Sequence, residues 1–333
     1  MTTRQRKLKP WHQVATPHRD IVTGALDMAT YAADLGGVQR GDGSVPTVYL
    51  DPAAFFEQTY PTAELRRLLE DVMRVLAGGS GDQVLQLRTP FGGGKTHTLL
   101  ALYHLARGRD RIGRRDELAG IPDPGPVRVA VLSGVDLDPS LPRRHDGLVA
   151  NTPWGELALQ LGGADAFGHV RGQDELRQAP GRDALAPALG EGPVLILMDE
   201  VMQYIQRAGA ISVGGGTLAQ QTLTFMQTLT ETVRARPGTA LVYSLQASVQ
   251  EAAGDETRLR MLEHLVGRME AVREPVSGDE VMRVVQRRLF SDLGDPAERE
   301  RVAAAYAQAH EAIRQATATG DDERRRAVQE AQE

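Results

Sequence analysis

The chain has 333 residues, of which 41% are hydrophobic and 25% charged, and its formal net charge is −6. This composition suits a soluble globular protein of one large or two smaller domains, without a surface that is basic overall. The absence of cysteine excludes disulfides, thiolate catalysis and cysteine zinc sites. No apolar run approaches the roughly 20 residues of a membrane span, and the basic N-terminus lacks a signal-peptide core, so we expect a cytoplasmic protein with no membrane partner.

The first part of the chain is predicted to be mostly helical. Residues 1–17 are polar and interrupted by proline, which is typical of a flexible arm. The apolar spacing then predicts a helix over Ile21–Leu35, which Gly36-Gly37 should end, followed by a glycine-rich loop over 36–47. A second, amphipathic helix is predicted over Thr62–Leu76 from its polar start and its leucine-rich stripe.

The most specific motif begins just after a short apolar run, Val84-Leu85-Gln86-Leu87. It reads Thr89-Pro90-Phe91-Gly92-Gly93-Gly94-Lys95-Thr96 and leads into a helical pattern. A strand, a glycine loop ending in Lys-Thr, and a helix are the layout of a phosphate-binding P-loop. Glycines let backbone N–H groups turn inward, and the following helix start offers unpaired donors and a partial positive charge. The motif therefore predicts a nucleotide phosphate site.

Individual roles follow from this layout. Lys95 is expected to reach the β- and γ-phosphates, and Thr96 to place its hydroxyl on Mg²⁺. Thr89 stands where the first glycine is usual, so a glycine-rich turn without a ligand is the alternative; Pro90 favours the extended geometry that a strand exit needs. The residues predicted to bind the nucleotide are Thr89, Pro90, Phe91, Gly92, Gly93, Gly94, Lys95, Thr96 and His97, although a packing role also suits His97.

Further strands and helices alternate after the P-loop, which implies a parallel α/β sheet with right-handed crossovers. The predicted strands are Val127–Leu132, Pro193–Met198, Ala240–Gln246 and Met269–Val272. The predicted helices are Trp154–Leu161, ended by Gly162-Gly163, then one of uncertain limits in 164–192, Val201–Arg207, Thr217–Arg236 and 256–269. Residues 134–152 and Gly209–Gly216 are predicted as loops, and the remainder as a charged helical segment.

The run Val194-Leu195-Ile196-Leu197-Met198 has no polar alternation, which suits a strand covered on both faces. It ends in Asp199-Glu200, at the edge where ligands bind in open α/β sheets. A nucleotide hydrolase needs one carboxylate for the Mg²⁺ shell and another to orient and deprotonate water, and Asp199 and Glu200 fit these roles by position. The alternative is that Asp199 caps the next helix and Glu200 favours its dipole.

Three further residues are weaker catalytic candidates. Ser244 or Gln246, at the end of a later strand, would act as a sensor of the γ-phosphate, although both also suit a buried strand meeting solvent. Arg268 is a candidate arginine finger for a neighbouring subunit, where it would stabilise transition-state charge; a surface arginine is the alternative.

These motifs together resemble a family of bacterial and archaeal AAA+-type ATPases whose conserved region is a domain of unknown function. The similarity covers about residues 11–290. The runs that carry it are Phe91-Gly92-Gly93-Gly94-Lys95-Thr96-His97-Thr98-Leu99-Leu100-Ala101-Leu102-Tyr103-His104, Phe55-Phe56-Glu57-Gln58-Thr59-Tyr60, Thr152-Pro153-Trp154-Gly155-Glu156-Leu157-Ala158 with Leu161-Gly162-Gly163, Leu195-Ile196-Leu197-Met198-Asp199-Glu200 with Tyr204, and Arg287-Arg288-Leu289-Phe290.

The resemblance implies a three-layer P-loop NTPase sheet of the additional-strand, AAA+-like kind, in which the Ser244 strand lies between the P-loop and Asp199 strands. A helical N-terminal extension and a partial helical lid would complete it. Family members are usually longer, so we expect the lid to be truncated at Glu333. The expected division is a flexible arm over 1–17, the extension over 18–80, the ATPase core over 81–276 and the lid over 277–333.

The function expected from these residues is hydrolysis of ATP, with Mg²⁺, to ADP and phosphate. The alternative is a nucleotide-dependent switch or scaffold with little or no turnover. Family members are often encoded beside DNA-methylase and helicase genes in anti-phage defence loci. The resemblance therefore implies an energy-coupling component with protein partners in such a system, with indirect DNA contact and homo-oligomers as further expectations.

Overall fold

The structure, a computed structural model, describes residues 8–23, 33–87, 94–113, 115–244, 271–273 and 280–330, of which 271–273 and 315–330 as backbone only. The chain divides into two compact units. One is Met28–Val284, and the other combines Met1–Asp27 with Val285–Glu333. The sequence-based division into arm, extension, core and lid stays a prediction.

Within the described residues, the larger unit is organised around a five-stranded parallel sheet. Its strands are β1 (Val84–Leu87), β2 (Arg128–Ser133), β3 (Val194–Asp199), β4 (Thr239–Ser244) and β5 (Ala271–Arg273). The strand order across the sheet is β5-β1-β4-β3-β2. The predicted additional-strand α/β fold is thereby confirmed, because β4 lies between β1 and β3.

Fourteen helices occur within the described residues. They are α1 (Arg19–Val22), α2 (Leu35–Arg40), α3 (Thr47–Leu50), α4 (Pro52–Gln58), α5 (Ala63–Leu76), α6 (Lys95–Arg107), α7 (Arg109–Ile112), α8 (Pro153–Gly168), α9 (Arg171–Leu176), α10 (Arg182–Ala188), α11 (Val201–Ala208), α12 (Leu218–Arg234), α13 (Val281–Leu289) and α14 (Pro296–Glu330). Short 3-10 helices span Trp11–Gln13 and Asp116–Leu118. None of these helices is both long and apolar enough to cross a bilayer.

The sheet is covered on both faces, which gives three layers. Val194, Ile196 and Met198 of β3 belong to one hydrophobic cluster, with α8, α10, α11 and α12. Leu195 and Leu197 belong to the other, with α2, α4, α5 and α6. Successive residues of a strand point to opposite faces, so β3 needs apolar side chains at every position. The uninterrupted apolar run is the direct consequence.

Polar residues cap the start of two helices that the sequence predicted, α5 and α12. The Thr62 hydroxyl accepts a hydrogen bond from the Leu65 amide at 3.1 Å, at the start of α5. Thr217 and Gln220 form a reciprocal capping box at the start of α12. Each cap satisfies backbone donors that a helix start leaves unpaired. The helix α8 is interrupted at Gly162 and Gly163, where the sequence predicted an end.

The prediction that Gly36 and Gly37 end a helix is wrong. Both lie inside α2, whose N-cap Asp34 accepts a hydrogen bond from the Gly37 amide at 2.9 Å. A Cβ on Gly36 would approach the Asp136 carboxylate to 1.9 Å, and that carboxylate pairs with Arg40 at 2.8 Å. These glycines therefore serve close packing of α2 rather than a turn. Residues 24–32 of the helix predicted from Ile21 lie outside the described residues.

The regions predicted as loops contain more regular structure than expected. Residues 134–152 include an antiparallel hairpin of Arg143–His145 and Leu148–Ala150. Its two turn residues, Asp146 and Gly147, have φ of 44° and 84°, as a tight hairpin requires. Residues 164–192, where one helix of uncertain limits was predicted, hold the end of α8 together with α9 and α10. A shorter hairpin, Ser212–Val213 with Gly216–Thr217, occupies most of the predicted glycine loop and ends at the residue after it.

Among the strands that the structure describes, β2 is an outer strand of the sheet, and a side chain of α8 covers part of it. The Gln160 amide donates to the Val131 carbonyl at 2.8 Å and accepts from the Val131 amide at 2.7 Å. Glu156 accepts from Gln160 at 2.7 Å and binds His145 at 2.7 Å through its other oxygen. The Val131 backbone groups are therefore paired by a side chain.

The smaller unit joins residues from both ends of the chain. Thr16–Pro17, within the predicted flexible arm, pairs antiparallel with Phe290–Asp292. The Trp11 ring packs edge-on against Phe290, with ring centres 6.0 Å apart. Arg288 forms an ion pair with Asp20 at 2.9 Å.

Candidate functional site

The strand register brings several sequence-predicted residues to one edge of the sheet. Ser244 of β4 pairs with Leu87, the last residue of β1, while Tyr243 pairs with Met198 of β3. Asp199 therefore lies next to Ser244, close to where the chain leaves β1 for the glycine loop. This is the carboxyl edge, where open parallel sheets bind their ligands.

Ser244 links the two acidic residues. It is fully buried, and its hydroxyl donates a hydrogen bond to Oδ1 of Asp199. The Ser244 hydroxyl oxygen also accepts a hydrogen bond from the Glu200 backbone amide at 2.9 Å. Asp199 is only 6% exposed, and within the described residues its carboxylate accepts no other hydrogen bond. It therefore keeps acceptor capacity for a ligand.

The backbone at Glu200 has an uncommon geometry, with φ of 50° and ψ of 41°. The left-handed region disfavours side-chain-bearing residues, so neighbouring contacts must hold it. Gly134 packs so closely that a Cβ there would lie 2.1 Å from the Glu200 carbonyl oxygen. The Gly134 amide also donates to the Asp199 carbonyl at 2.7 Å. The loop after β2 thus fixes the backbone of both acidic residues.

The Glu200 side chain is half-buried and makes one described hydrogen bond. Its Oε2 accepts a hydrogen bond from the side-chain amide of Gln203 at 2.6 Å. Burial, followed by the charge of Asp199, raises the pKa of Glu200, whereas the charge of Lys95 lowers it. A carboxyl with a raised pKa that still senses a nearby cation is suited to accept a proton.

The helix α6 starts at Lys95, directly after Gly94. Gly94 has φ of 76° and ψ of 19°, a left-handed conformation that favours glycine at this position. Its carbonyl accepts from the Thr98 hydroxyl at 2.9 Å. Lys95 and Thr96 are partly exposed in the first helical turn. Five predicted nucleotide contacts lie outside the described residues, namely Thr89, Pro90, Phe91, Gly92 and Gly93.

His97 lies in the first turn of α6 and contacts the segment before α5. Its ring is 4.5 Å, centre to centre, from that of Phe55. Its Nε2 lies 2.9 Å from the Thr59 hydroxyl, which in turn donates to the Phe55 carbonyl at 2.7 Å. The run Phe55 to Thr59, one carrier of the family resemblance, therefore packs directly against the start of α6.

Two predicted catalytic residues lie outside the described residues: Gln246 and Arg268. Ser244 is the described member of the sensor pair, and the structure joins it to both acidic residues. Its position at the carboxyl edge was predicted, whereas its hydrogen bonds to Asp199 and Glu200 were not.

The role of Arg207, a positively charged side chain of α11, was not predicted from the sequence. The Arg207 guanidinium donates to three carbonyls of the loop after β2: Gly134, Val135 at 3.1 Å and Leu137 at 3.0 Å. Arg207 therefore anchors the loop that packs against Glu200. An arginine on a helix face gives no sequence signal for this role, because its partners are backbone atoms distant in sequence.

The run that begins at Thr152, one carrier of the family resemblance, contacts another acidic residue, Asp174, which is fully buried. Its Oδ1 accepts from the Thr152 hydroxyl at 2.5 Å, and its two oxygens also accept from the Asn151 backbone and side chain at 2.9–3.0 Å. A Cβ on Gly155 would approach Oδ1 of Asp174 to 2.2 Å. The glycine therefore makes room for the carboxylate.

The described residues contain no group of three or more histidine or acidic side chains arranged to hold a metal. Mg²⁺ commonly binds through one or two carboxylates together with substrate phosphates, and does not need such a group. The remaining acceptor capacity of Asp199, and the hydroxyl of Thr96 at the helix start, fit that mode of binding.

Comparison with known proteins gives a family match and similarities to solved structures. The model of the DUF499 N-terminal domain matches residues 12–281. The solved structure of the Aeropyrum pernix ORC1 protein in complex with DNA is similar at 18% identity and a TM-score of 0.39, over 70% of this chain and 50% of that one. The chain thus spans half the length of that relative. No curated protein is significantly similar to the chain.

Proposed function

This chain belongs to the DUF499 N-terminal domain family, and we propose that it binds ATP with Mg²⁺ and hydrolyses it to ADP and phosphate. The observation that carries the proposal is the cluster of Asp199, Glu200 and Ser244 at the carboxyl edge of the sheet. Glu200 lies within electrostatic reach of Lys95, at the start of α6. One of two neighbouring acidic residues thus lies near a helix start suited to phosphate.

Different side chains of the site have different proposed roles in binding phosphate and Mg²⁺. Lys95 and the first N–H groups of α6 hold the β- and γ-phosphates, with the glycine loop before them. Thr96 and Asp199 would hold Mg²⁺, which when bound neutralises phosphate charge that develops during transfer. Ser244 keeps Asp199 oriented and, as a sensor, couples it to the Glu200 backbone.

Glu200 is the proposed general base. A water molecule attacks the γ-phosphorus in line with the bond to ADP, and Glu200 accepts its proton as that bond breaks. The raised pKa of Glu200 supports proton acceptance, because a base of very low pKa would have little driving force.

The deciding experiment is phosphate release by Glu200→Gln. The amide preserves size but cannot accept the proton, so we expect turnover to fall at least about a hundredfold while ATP binding persists. Lys95→Ala should instead lose ATP binding. Undiminished turnover by Glu200→Gln would refute the catalytic assignment.

The same measurement addresses the alternative function. A switch or scaffold would bind ATP and release little phosphate even with the native residues present. Its signature would be tight binding by the native chain with the same negligible turnover as Glu200→Gln.

Assembly and biological setting are finer parts of the proposal. The family resemblance supports an energy-coupling role beside protein partners in a DNA-modification or anti-phage defence system. An arginine finger at Arg268 requires a homo-oligomer, so ATP-dependent growth in mass in solution, lost in Lys95→Ala, would support it. Stimulation of phosphate release by added DNA would test whether DNA contact is direct or indirect.

A further inference from the structure

The helix α11 presents two polar side chains toward the candidate site. Gln203 and Arg207 are four residues apart and so lie on one helix face. Arg207 binds the loop after β2, and Gln203 binds the Glu200 carboxylate. The opposite face is anchored, because Val201, Met202, Tyr204, Ile205 and Ala208 are buried. The backbone that carries Gln203 is therefore fixed in the core.

The contact leaves the two oxygens of Glu200 in different surroundings. The Gln203 amide donates to Oε2 at 2.6 Å, whereas Oε1 accepts no hydrogen bond from the described residues. The Glu200 main chain is held separately, by Ser244 and by the close approach of Gly134. With both main chain and Oε2 restrained, the direction of Oε1 is restrained as well.

We propose that Gln203 is a positioning residue, which holds Oε2 of Glu200 so that Oε1 faces the attacking water. This inference rests on the proposed ATP hydrolysis and adds a residue that the family motifs do not include. Misplacing a reacting group by about 1 Å can cost on the order of a hundredfold in rate, so a single restraint of this kind is kinetically significant.

The test compares Gln203→Met with Gln206→Met. Methionine preserves the length of glutamine but lacks the N–H donor. Gln206 lies on the same helix, is exposed, and its side chain makes no described hydrogen bond. We expect Gln203→Met to lower kcat for ATP about tenfold at unchanged KM, and Gln206→Met to change neither. A kcat for Gln203→Met within twofold of that for Gln206→Met would overturn the proposal.

A double-mutant cycle separates positioning from general structural support. If Gln203 acts through Glu200, Gln203→Met should have no further effect on the single-turnover rate of Glu200→Gln. An equal loss in both backgrounds would show that Gln203 acts elsewhere and would overturn the proposal. Unchanged turnover of Glu200→Gln alone would refute the proposed function instead, so the two failures are distinguishable.

Folding is monitored by thermal unfolding of each variant. If Gln203→Met unfolds at a lower temperature than Gln206→Met, Gln203→Asn replaces it, because asparagine stays polar but is too short to reach Oε2. Gln203→Asn should show the same tenfold loss of kcat at unchanged KM; a kcat equal to that of the unmodified protein would overturn the proposal.

Discussion

Asp174 and Asp199 are both buried carboxylates in segments that carry the family resemblance or adjoin it, yet their surroundings differ. Asp174 is 0% exposed and accepts hydrogen bonds from Thr152 and from both the backbone and side chain of Asn151. Asp199 is 6% exposed, and within the described part of the chain its carboxylate accepts from Ser244 alone. The hydrogen-bonding capacity of the Asp174 carboxylate is used by the protein itself, whereas the Asp199 carboxylate can still accept contacts from a ligand.

This difference separates structural from chemical roles. A buried charge is costly unless it is fully hydrogen-bonded, and a saturated carboxylate has little left to offer a ligand. A carboxylate at a sheet edge with one partner is the arrangement that a metal or substrate completes. We therefore assign Asp174 to folding and Asp199 to the proposed chemistry.

The largest effect is expected from Asp199→Asn. The amide oxygen can still accept from Ser244, so the free energy of unfolding should change little. Loss of the negative charge beside the proposed Mg²⁺ should lower turnover about a thousandfold, roughly 4 kcal/mol. Phosphate release and denaturant unfolding measure the two quantities. A variant that unfolds readily but hydrolyses normally would reverse the assignment.

Asp174→Asn should do the opposite. An amide group would turn an N–H toward donors of Asn151 and Thr152, leaving buried groups unpaired. We expect a loss of about 3 kcal/mol in the free energy of unfolding, with the kcat of the folded fraction preserved. Urea unfolding with an active-site titration checks this. Preserved stability would show that the carboxylate charge is dispensable there.

A smaller effect is expected from Gly155→Ala. The added Cβ would lie 2.2 Å from Oδ1 of Asp174, so the carboxylate must move away from its donors. The cost should be about 2 kcal/mol. Gly168→Ala in the same helix is the control, since a Cβ there meets nothing within 4 Å, and it should be neutral or slightly stabilising. Equal stability of the two variants would contradict the packing argument.

The sequence predicted the strands that carry the candidate site better than it predicted the packing around them. The apolar run before Asp199 identified β3, because a fully buried parallel strand imposes a recognisable pattern. The placement of β4 beside β3 was implied by the family resemblance and is confirmed by the strand order. Asp174 was missed because its partners are distant in sequence or are backbone atoms. The hairpin turn Asp146-Gly147 carried a known sequence signal that the loop prediction overlooked.

Glycines show why the remainder could not be predicted. Gly36 looked like a helix end, since glycine usually interrupts helices. Its actual constraint is the carboxylate of Asp136, one hundred residues later, which leaves no space for a Cβ. Likewise Gly134 is required by the carbonyl of Glu200. Such constraints are tertiary and appear only once the strands are in register.

The smallest effect is expected at a buried histidine, His104. It is 2% exposed, and its Nε2 lies 2.8 Å from the Tyr49 carbonyl. Burial lowers the pKa of His104 below its ordinary value of 6.5. The unfolded chain then binds the proton more readily, so the stability contribution is complete above about pH 6.5 and is lost as the pH falls toward the folded-state pKa.

The variant His104→Gln tests the expected pH dependence of stability. Glutamine can donate to the Tyr49 carbonyl but does not titrate. The free energy of unfolding of the variant should therefore fall less between pH 7 and pH 5 than that of the unmodified chain. Identical pH profiles would show that His104 does not contribute to the acid dependence.

The hydrogen bonds from the Gln160 side chain to β2 affect whether molecules of this chain can associate through the edge of the sheet. An outer strand with unpaired N–H and C=O groups is a template to which a strand of another molecule can add, and this is a common start of aggregation. At Val131 both groups are already occupied by a side chain of the same chain. A foreign strand would have to displace Gln160, and the Glu156 contact behind it, before the sheet could grow at that point.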